Sequence, residues 1–509
     1  MKKLLITSLG IFMLSSISSA QTTSEIYQLS KTQNLGTARY NGLSGAFGAL
    51  GGDLTAVAEN PAASAVFLNS YGSFTIGYNR ANFDANYFGN NVTTQDNNLN
   101  FNQIGGVLVL KDSNSDGSGL SKVSLAVVYN QDNDFRERYT IRGNANNSIA
   151  DFFVNQANGI PADDLSARGD GSIEGLQRDF REIGNLYGIS GQRAFLAFQG
   201  RLINESASDN SLYTPGVTGG DTVQTIFYDT NGDSSKVSFN LAGEFNKTFY
   251  IGINLNIHDY DYRKSVSFRE LNGNSSNEDV QFVEYRNDIY TFGNGYSLGI
   301  GAIAKLGDQL RAGFSYQSPT WSELEDEFEQ NILVDVEVNN SVVGNLVDPE
   351  TVVLLPAYRF RTPGIVTGSL AYVFGKSGLI SAQFSRQDFS NIEYTTNGPE
   401  FTEANNRINE TFQAVNTFKI GAEYRYNKWR FRGGASTASS PYKDSRINGD
   451  STGFSLGTGY DWGKWKFDLA YNNLEVNRNE SLFENEAFSN NSDISKRQNI
   501  FTATLGLNF

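Results

Sequence analysis

Not one cysteine occurs in the 509 residues, and His258 is the only histidine. These absences exclude a disulfide framework, a thiolate metal site and a lipid anchor built on cysteine. A lone imidazole cannot form a multi-histidine centre, so zinc chemistry falls away, and axial haem ligands narrow to His258, a tyrosine or a methionine. Basic residues are outnumbered 55 to 40, a net charge of −15, which argues against nucleic acid as a partner. Prolines number only 9. Beyond the first twenty residues no apolar run approaches the roughly 20 residues of a membrane-spanning helix.

The chain is rich instead in aromatic and small residues: 36 Phe, 25 Tyr and 51 Gly, with a mean hydropathy of −0.38. At the start, Lys2 and Lys3 precede the apolar stretch LLITSLGIFML, and Ser18 and Ala20 occupy small-residue cleavage positions. A signal peptide over residues 1–20 is therefore expected, with the mature chain beginning at Gln21.

Alternation sets the fold class. In NIFTATLGLNF, Phe501, Ala503, Leu505, Leu507 and Phe509 are apolar, whereas Thr502, Thr504, Gly506 and Asn508 are small or polar. WKFDLAY repeats the pattern, and so do segments around Phe418–Tyr426, Leu310–Tyr316, Phe249–Ile257 and Val123–Tyr129. Period-two alternation with aromatics near strand ends suits a wall that meets lipid on one face and a lumen on the other. Tight turns such as Asn246-Lys247, Gly307-Asp308 and Gly463-Lys464 alternate with long polar loops, as short periplasmic turns and long outer loops do. The expectation is an all-β, transmembrane antiparallel β-barrel of about 14 strands over residues 70–509, in the outer membrane of a Gram-negative bacterium.

Two outer loops are long, at about residues 132–235 and 320–360. Within the first, NSIADFFVNQANGI and EGLQRDFREIGNLYGI have helical apolar spacing. The second contains NILVDVEVNNSVVGNLV, apolar enough to suggest a ligand groove, a partner surface or a lid with its own small core.

Ahead of the first strand, residues 21–69 start on the periplasmic side and are rich in Gly and Ala, suited to a compact plug in the lumen. The stretch LGTARYNGLSGAFGALGGDLTAVAENPA resembles the N-terminus of the FadL/TodX family of outer-membrane transporters, in the style of its Bacteroidetes members. That resemblance implies a fourteen-strand barrel closed by an internal hatch, and passive uptake of hydrophobic molecules such as long-chain fatty acids. It assigns the hatch to Gly42, Gly45, Ala46, Gly51, Gly52, Asp53, Asn60, Pro61 and Ala62. FSYQSPTW, with Tyr316, Ser318 and Pro319 closing the seventh strand, and the terminal Phe509 add to the likeness. One of the family's two ligand-capturing loops matches the loop after the seventh strand. The other is short here, at about residues 269–280, and the longest loop follows the third strand instead.

The remaining motifs read plainly. DSNSDGSG begins like a calcium loop but has Val123 where a bidentate Glu belongs, so it is a turn. GKS at residues 375–377 lacks the first glycine of a phosphate loop, Leu370 standing in its place. A Ser-His-Asp set would need His258 and a serine that the sequence does not identify, so no catalytic residue, cofactor or metal is expected. Lys419, Glu423, Arg425, Arg430, Arg432, Lys466 and Asp468 share the inward parity. They either brace the hatch, or Lys419, Arg425, Arg430 and Arg432 receive a carboxylate head group. The expected partners are hydrophobic small molecules and outer-membrane lipids. The alternative function is a PorV-like scaffold of a protein secretion system, with a protein partner at the 132–235 loop.

Overall fold

A computed structural model describes residues 22–33, 35–111, 119–168, 172–217, 221–273, 279–339, 341–483 and 487–509. The leader over residues 1–20 and nearly all of DSNSDGSG lie outside the described residues.

Fourteen antiparallel strands close into a barrel. They are β1 (Tyr71–Tyr87), β2 (Asn90–Lys111), β3 (Leu120–Asp134, resuming over Glu137–Ala145), β4 (Thr222–Phe245), β5 (Phe249–Asn272), β6 (Val280–Leu306) and β7 (Leu310–Gln317, resuming over Trp321–Val338). Then come β8 (Ser341–Val347, continuing in short pieces to Ile365–Val373), β9 (Gly378–Asp388), β10 (Ala414–Tyr426), β11 (Trp429–Ala438), β12 (Ser451–Asp461), β13 (Trp465–Ser481) and β14 (Asn491–Asn508). Closure is direct: β1 pairs with β2 on one side and with β14 on the other, from Tyr71↔Asn508 upward. The C-terminal strand whose alternation was clearest thus seals the wall.

The lipid face follows from that alternation. On β5, Ile251, Ile253, Leu255 and Ile257 are exposed, while Tyr250, Asn254, Asn256 and His258 point inward and are buried. Just above this band the rings of Tyr296 and Trp321 lie 5.5 Å apart, a pair fitting the outer aromatic girdle. Beyond it the outward positions become charged, as at Arg263, Arg286, Glu323 and Glu325.

Four expectations are revised. Residues 320–360 are not a loop, because β7 resumes at Trp321 and runs to Val338, paired along β6. The seventh strand therefore does not close at Pro319. Pro319 has no N–H to give, and Ser318 carries the sheet across the break, donating its N–H to Leu298 O at 2.8 Å and accepting the Leu298 N–H on its Oγ at 2.9 Å. The 132–235 excursion begins and ends as strand, and only its middle folds separately, as α4 (Ala150–Ala157), α5 (Ala162–Leu165), α6 (Ile173–Gln199) and a hairpin (Ile203–Ser206 with Asp209–Pro215). Its helices match the two spaced segments, with α6 bent at Gly188, whose φ is 66°. The β1–β2 connection on the outer side is a tight turn at Phe88-Gly89 rather than a long loop.

The fourth revision concerns the N-terminus. Its first described residues lie high in the outer half of the lumen, not at the periplasmic side. There α1 (Thr23–Ser30) buries Ile26 and Leu29 among Phe135, Tyr260, Tyr262, Phe360 and Phe389. From α1 the chain descends to α2 (Ala38–Asn41), α3 (Leu54–Glu59) and a 3-10 turn (Pro61–Val66), which fill the periplasmic half.

Candidate functional site: the hatch and its three chambers

The hatch is a set of very short elements, each started by a side-chain cap. Thr37 Oγ1 accepts the Tyr40 N–H and opens α2, and Asp53 Oδ1 accepts the Thr55 N–H at 3.0 Å and opens α3. Thr37 Oγ1 also donates to Asp53 Oδ2 at 2.7 Å, so the acidic residue of the hatch is a structural cap shared by two helices. Asn60 Oδ1 accepts the Ala62 N–H and starts the 3-10 turn, with Pro61 in its first position, where the missing N–H costs nothing.

Gly51 and Gly52 have φ of 62° and 66°, a left-handed corner that side chains resist, and a Cβ on Gly51 would come within 2.6 Å of Val66. Two arginines hold the carbonyls of this corner. Arg39 Nη1 donates to Gly52 O at 2.9 Å and Arg311 Nη1 to Leu50 O at 3.0 Å.

What seats the hatch is glycine on the barrel wall. A Cβ on Gly252 would strike the Pro61 carbonyl, one on Gly301 would strike the Asn60 side chain, and one on Gly313 the Gly48 carbonyl. Leu43 sits likewise against Gly421 and Gly434, and Gly42 against Gly457. Asn60 Nδ2 pins the joint, donating to Gly48 O at 2.7 Å and toward Ala302 O at 3.3 Å. Ala46 and Ala62 have no exposed surface, and Gly45 (φ 75°) turns the chain over the Tyr40 ring. All nine hatch residues named from the sequence therefore lie inside the barrel, in one body.

The inward charges divide. Glu423 is the hub, bound by Arg425 Nε at 2.7 Å, Arg432 Nε at 2.8 Å and Arg39 Nε at 3.4 Å. Arg432 also reaches Asp468 at 2.6 Å, and Arg430 pairs with Asp461 at 2.7 Å. Lys419 stands apart on the outer side of the hatch, 3.8 Å from Glu59. The geometry of Arg432, fully buried between two carboxylates, is that of a brace.

Three chambers lie along the lumen. An outer vestibule of about 1170 Å³ is walled by Phe152, Tyr228, Tyr285 and Phe483, with Arg193 and Lys264 over two of the rings. A middle chamber of about 370 Å³ adjoins it around Tyr27 and has a mixed lining, with Leu35, Phe389 and Val415 beside Lys31, Gln317 and Lys419. Burial, and next Lys496, pull the Lys31 ammonium down to about 7. Below the hatch, a periplasmic chamber of about 500 Å³ is lined by Arg39, Lys305, Arg311, Arg425, Arg430 and Lys466.

One constellation escaped sequence reading. Ser297 Oγ is 2.8 Å from His258 Nε2, and Asp132 Oδ2 is 3.4 Å from His258 Nδ1, with Lys236 Nζ bonded to Asp132 at 3.0 Å. Ser297 lies on a neighbouring strand, and only the β5–β6 register, Asn256↔Ser297, brings it near. Neither Ser297 nor His258 lines any of the three chambers, and the Gln33 N–H donates to the Asp132 carbonyl. The cluster ties the N-terminal tail to the wall. Among the described residues no group of three or more acidic or histidine side chains is arranged to hold a metal ion.

The apolar residues of the two long loops mostly face inward. Ile332, Val334 and Val336 of β7 join Phe153, Phe180 and Phe195 of the excursion in one core, so the excursion packs as a lid.

Comparison with known proteins places this architecture. The family model for outer membrane protein transport protein (OMPP1/FadL/TodX) matches residues 233–508, from within β4 to the end of β14. Among solved structures, a FadL homologue of Pseudomonas aeruginosa is similar over 93% of this chain and 98% of its own, at 14% identity and a TM-score of 0.51. The toluene transporter TodX of P. putida aligns over 94% and 99% at 12% identity and a TM-score of 0.48. No curated protein sequence matches the chain.

Proposed function

Because the chain belongs to the OMPP1/FadL/TodX family of outer membrane transport proteins, we propose that it admits hydrophobic molecules, long-chain fatty acids among them, through a lumen gated by its N-terminal hatch. The observation that carries this reading is the series of three chambers, the lower two separated by a hatch that is seated on the wall through glycine and alanine.

An apolar molecule enters the aromatic vestibule, where its desolvation provides the driving force. Passage then requires the tail at Tyr27 to move aside. In the middle chamber Lys31 and Lys419 meet an anionic head. The last step turns the Gly51-Gly52 corner away from Arg39 and Arg311, opening the periplasmic chamber. There Arg425, Arg430 and Lys466 receive the head group, and Arg432 keeps its bracing role.

The test uses the absence of cysteine. Ser64 Oγ of the hatch lies 2.8 Å from Ser124 Oγ of β3, so the pair Ser64→Cys and Ser124→Cys introduces a single lock. Cells lacking their own transporter take up a labelled long-chain fatty acid when they express this chain. Uptake falls to background with the oxidised pair and returns on reduction. Unchanged uptake through the locked barrel rules out hatch gating.

The secretion-scaffold reading draws support from Ile173, Leu186 and Leu212, which leave apolar surface exposed on the lid. Deleting residues 150–215 then abolishes binding of a stoichiometric protein partner, and the transporter reading predicts loss of fatty acid uptake instead.

A further inference from the structure

The outer piece of β8, Ser341–Val347, uses only one of its edges. It pairs with β7 from Val338↔Ser341 to Ile332↔Val347, and no strand pairs along its other edge among the described residues. A free edge presents a row of backbone N–H and C=O groups, and proteins ordinarily blunt such edges with charge, proline or a bulge. SVVGNLV has no charge and no proline, and its register along β7 is regular. Val342 and Leu346 are 63% and 65% exposed, and Val352 and Leu354 extend the apolar strip.

The strip lies well above the bilayer. Between Trp321 in the girdle and Ile332, β7 climbs roughly 35 Å along its own axis. Charged residues such as Arg269, Glu284 and Arg286 also face outward at these heights, so contact with lipid does not explain the strip.

Every charged residue between Arg311 and Arg359 is acidic. Asp335 and Glu337 stand opposite Gly344 and Val342, Asp348 and Glu350 follow the strand, and none of the four forms a salt bridge with a described residue. Two copies of this edge would bring these carboxylates face to face, and like charges across strands are destabilising.

We propose that Ser341–Val347 is a docking strand for a partner protein. An extended segment of alternating apolar residues, bracketed by Lys or Arg, adds to it as the next strand. Backbone hydrogen bonds supply the affinity, Val342 and Leu346 receive the partner's apolar side chains, and the four carboxylates select for basic flanks.

The experiment uses the full chain in lipid nanodiscs and a synthetic peptide of alternating valine and threonine carrying lysines at both ends. The peptide binds by fluorescence anisotropy and slows amide hydrogen exchange within residues 341–347. The same core carrying glutamates does not bind. Asp335→Asn with Glu337→Gln, which leaves the strand intact, weakens the lysine peptide about fivefold, and Val343→Pro abolishes binding. The proposal is overturned if the two peptides bind alike, if exchange slows elsewhere only, or if the edge is instead protected by self-association of the barrel.

Discussion

The two halves of the lumen are filled by opposite means. In the periplasmic half, glycine and alanine of the hatch lie against glycine of the wall, backbone on backbone, with the Asn60 side chain as the pin. In the outer half, α1 is wedged among large rings: Tyr27 lies 5.3 Å from Phe389 and 5.9 Å from Tyr442, centre to centre. Glycine seats leave no room for a methyl group, so the lower joint is either seated or not. Aromatic side chains turn and slide, so the upper one yields by degrees. On the proposed route a molecule works its way past α1 while the hatch remains shut.

The largest expected effect tests the lower joint. Gly301→Val places a side chain on Asn60 and overpacks the seat by about 3 kcal/mol. The hatch comes out, and planar-bilayer recordings show a persistently conducting pore where the parent is closed. Tyr27→Ala acts on the upper joint, removing about 3 kcal/mol of docking. It exposes the tail to protease added from outside and leaves conductance at the parent level. Conductance in that variant would erase the distinction between the halves. Asn60→Ala removes a cap and the pin together and costs about 1–2 kcal/mol. Amide exchange in residues 45–66 quickens by roughly tenfold with no change in residues 22–33.

A pH dependence is confined to the upper half. Lys31 sits near Lys496, Glu137, Arg478 and Asp134, and its pKa is about 7 in place, against 10.5 when free. Between those values the docked tail binds fewer protons than the released one, so docking strengthens as pH rises through the window and is flat below about 7. Protease release of the tail therefore slows from pH 7 to 9, and Lys31→Met removes the slope.

Much of this was legible in the sequence, and the misses have physical causes. The lipid-facing alternation of β5 and β14 identified the barrel, and the glycines and the Asn-Pro-Ala triplet marked the hatch. Residues 320–360 misled because the alternation reverses its meaning above the girdle. In the membrane apolar side chains such as Phe314 point out, whereas above it Leu324, Phe328 and Ile332 point in and glutamates face water. A strand that inverts its polarity at a proline looks like a loop. The position of α1 was hidden because a short helix does not record which rings it will meet. Ser297 was hidden because register, not spacing, sets its neighbours. The bracing pairs Arg432–Glu423 and Arg432–Asp468 were open from parity and needed distances to resolve.

The wall itself is uneven. β6 has 27 residues and β9 only 11, a difference of about 50 Å along the strand. The rim is therefore slanted, a high parapet over β4–β7 and a low sill over β9–β12. Over the sill the outer end is built instead by residues 389–413 and 439–450, whose Arg407, Tyr442 and Arg446 line the vestibule.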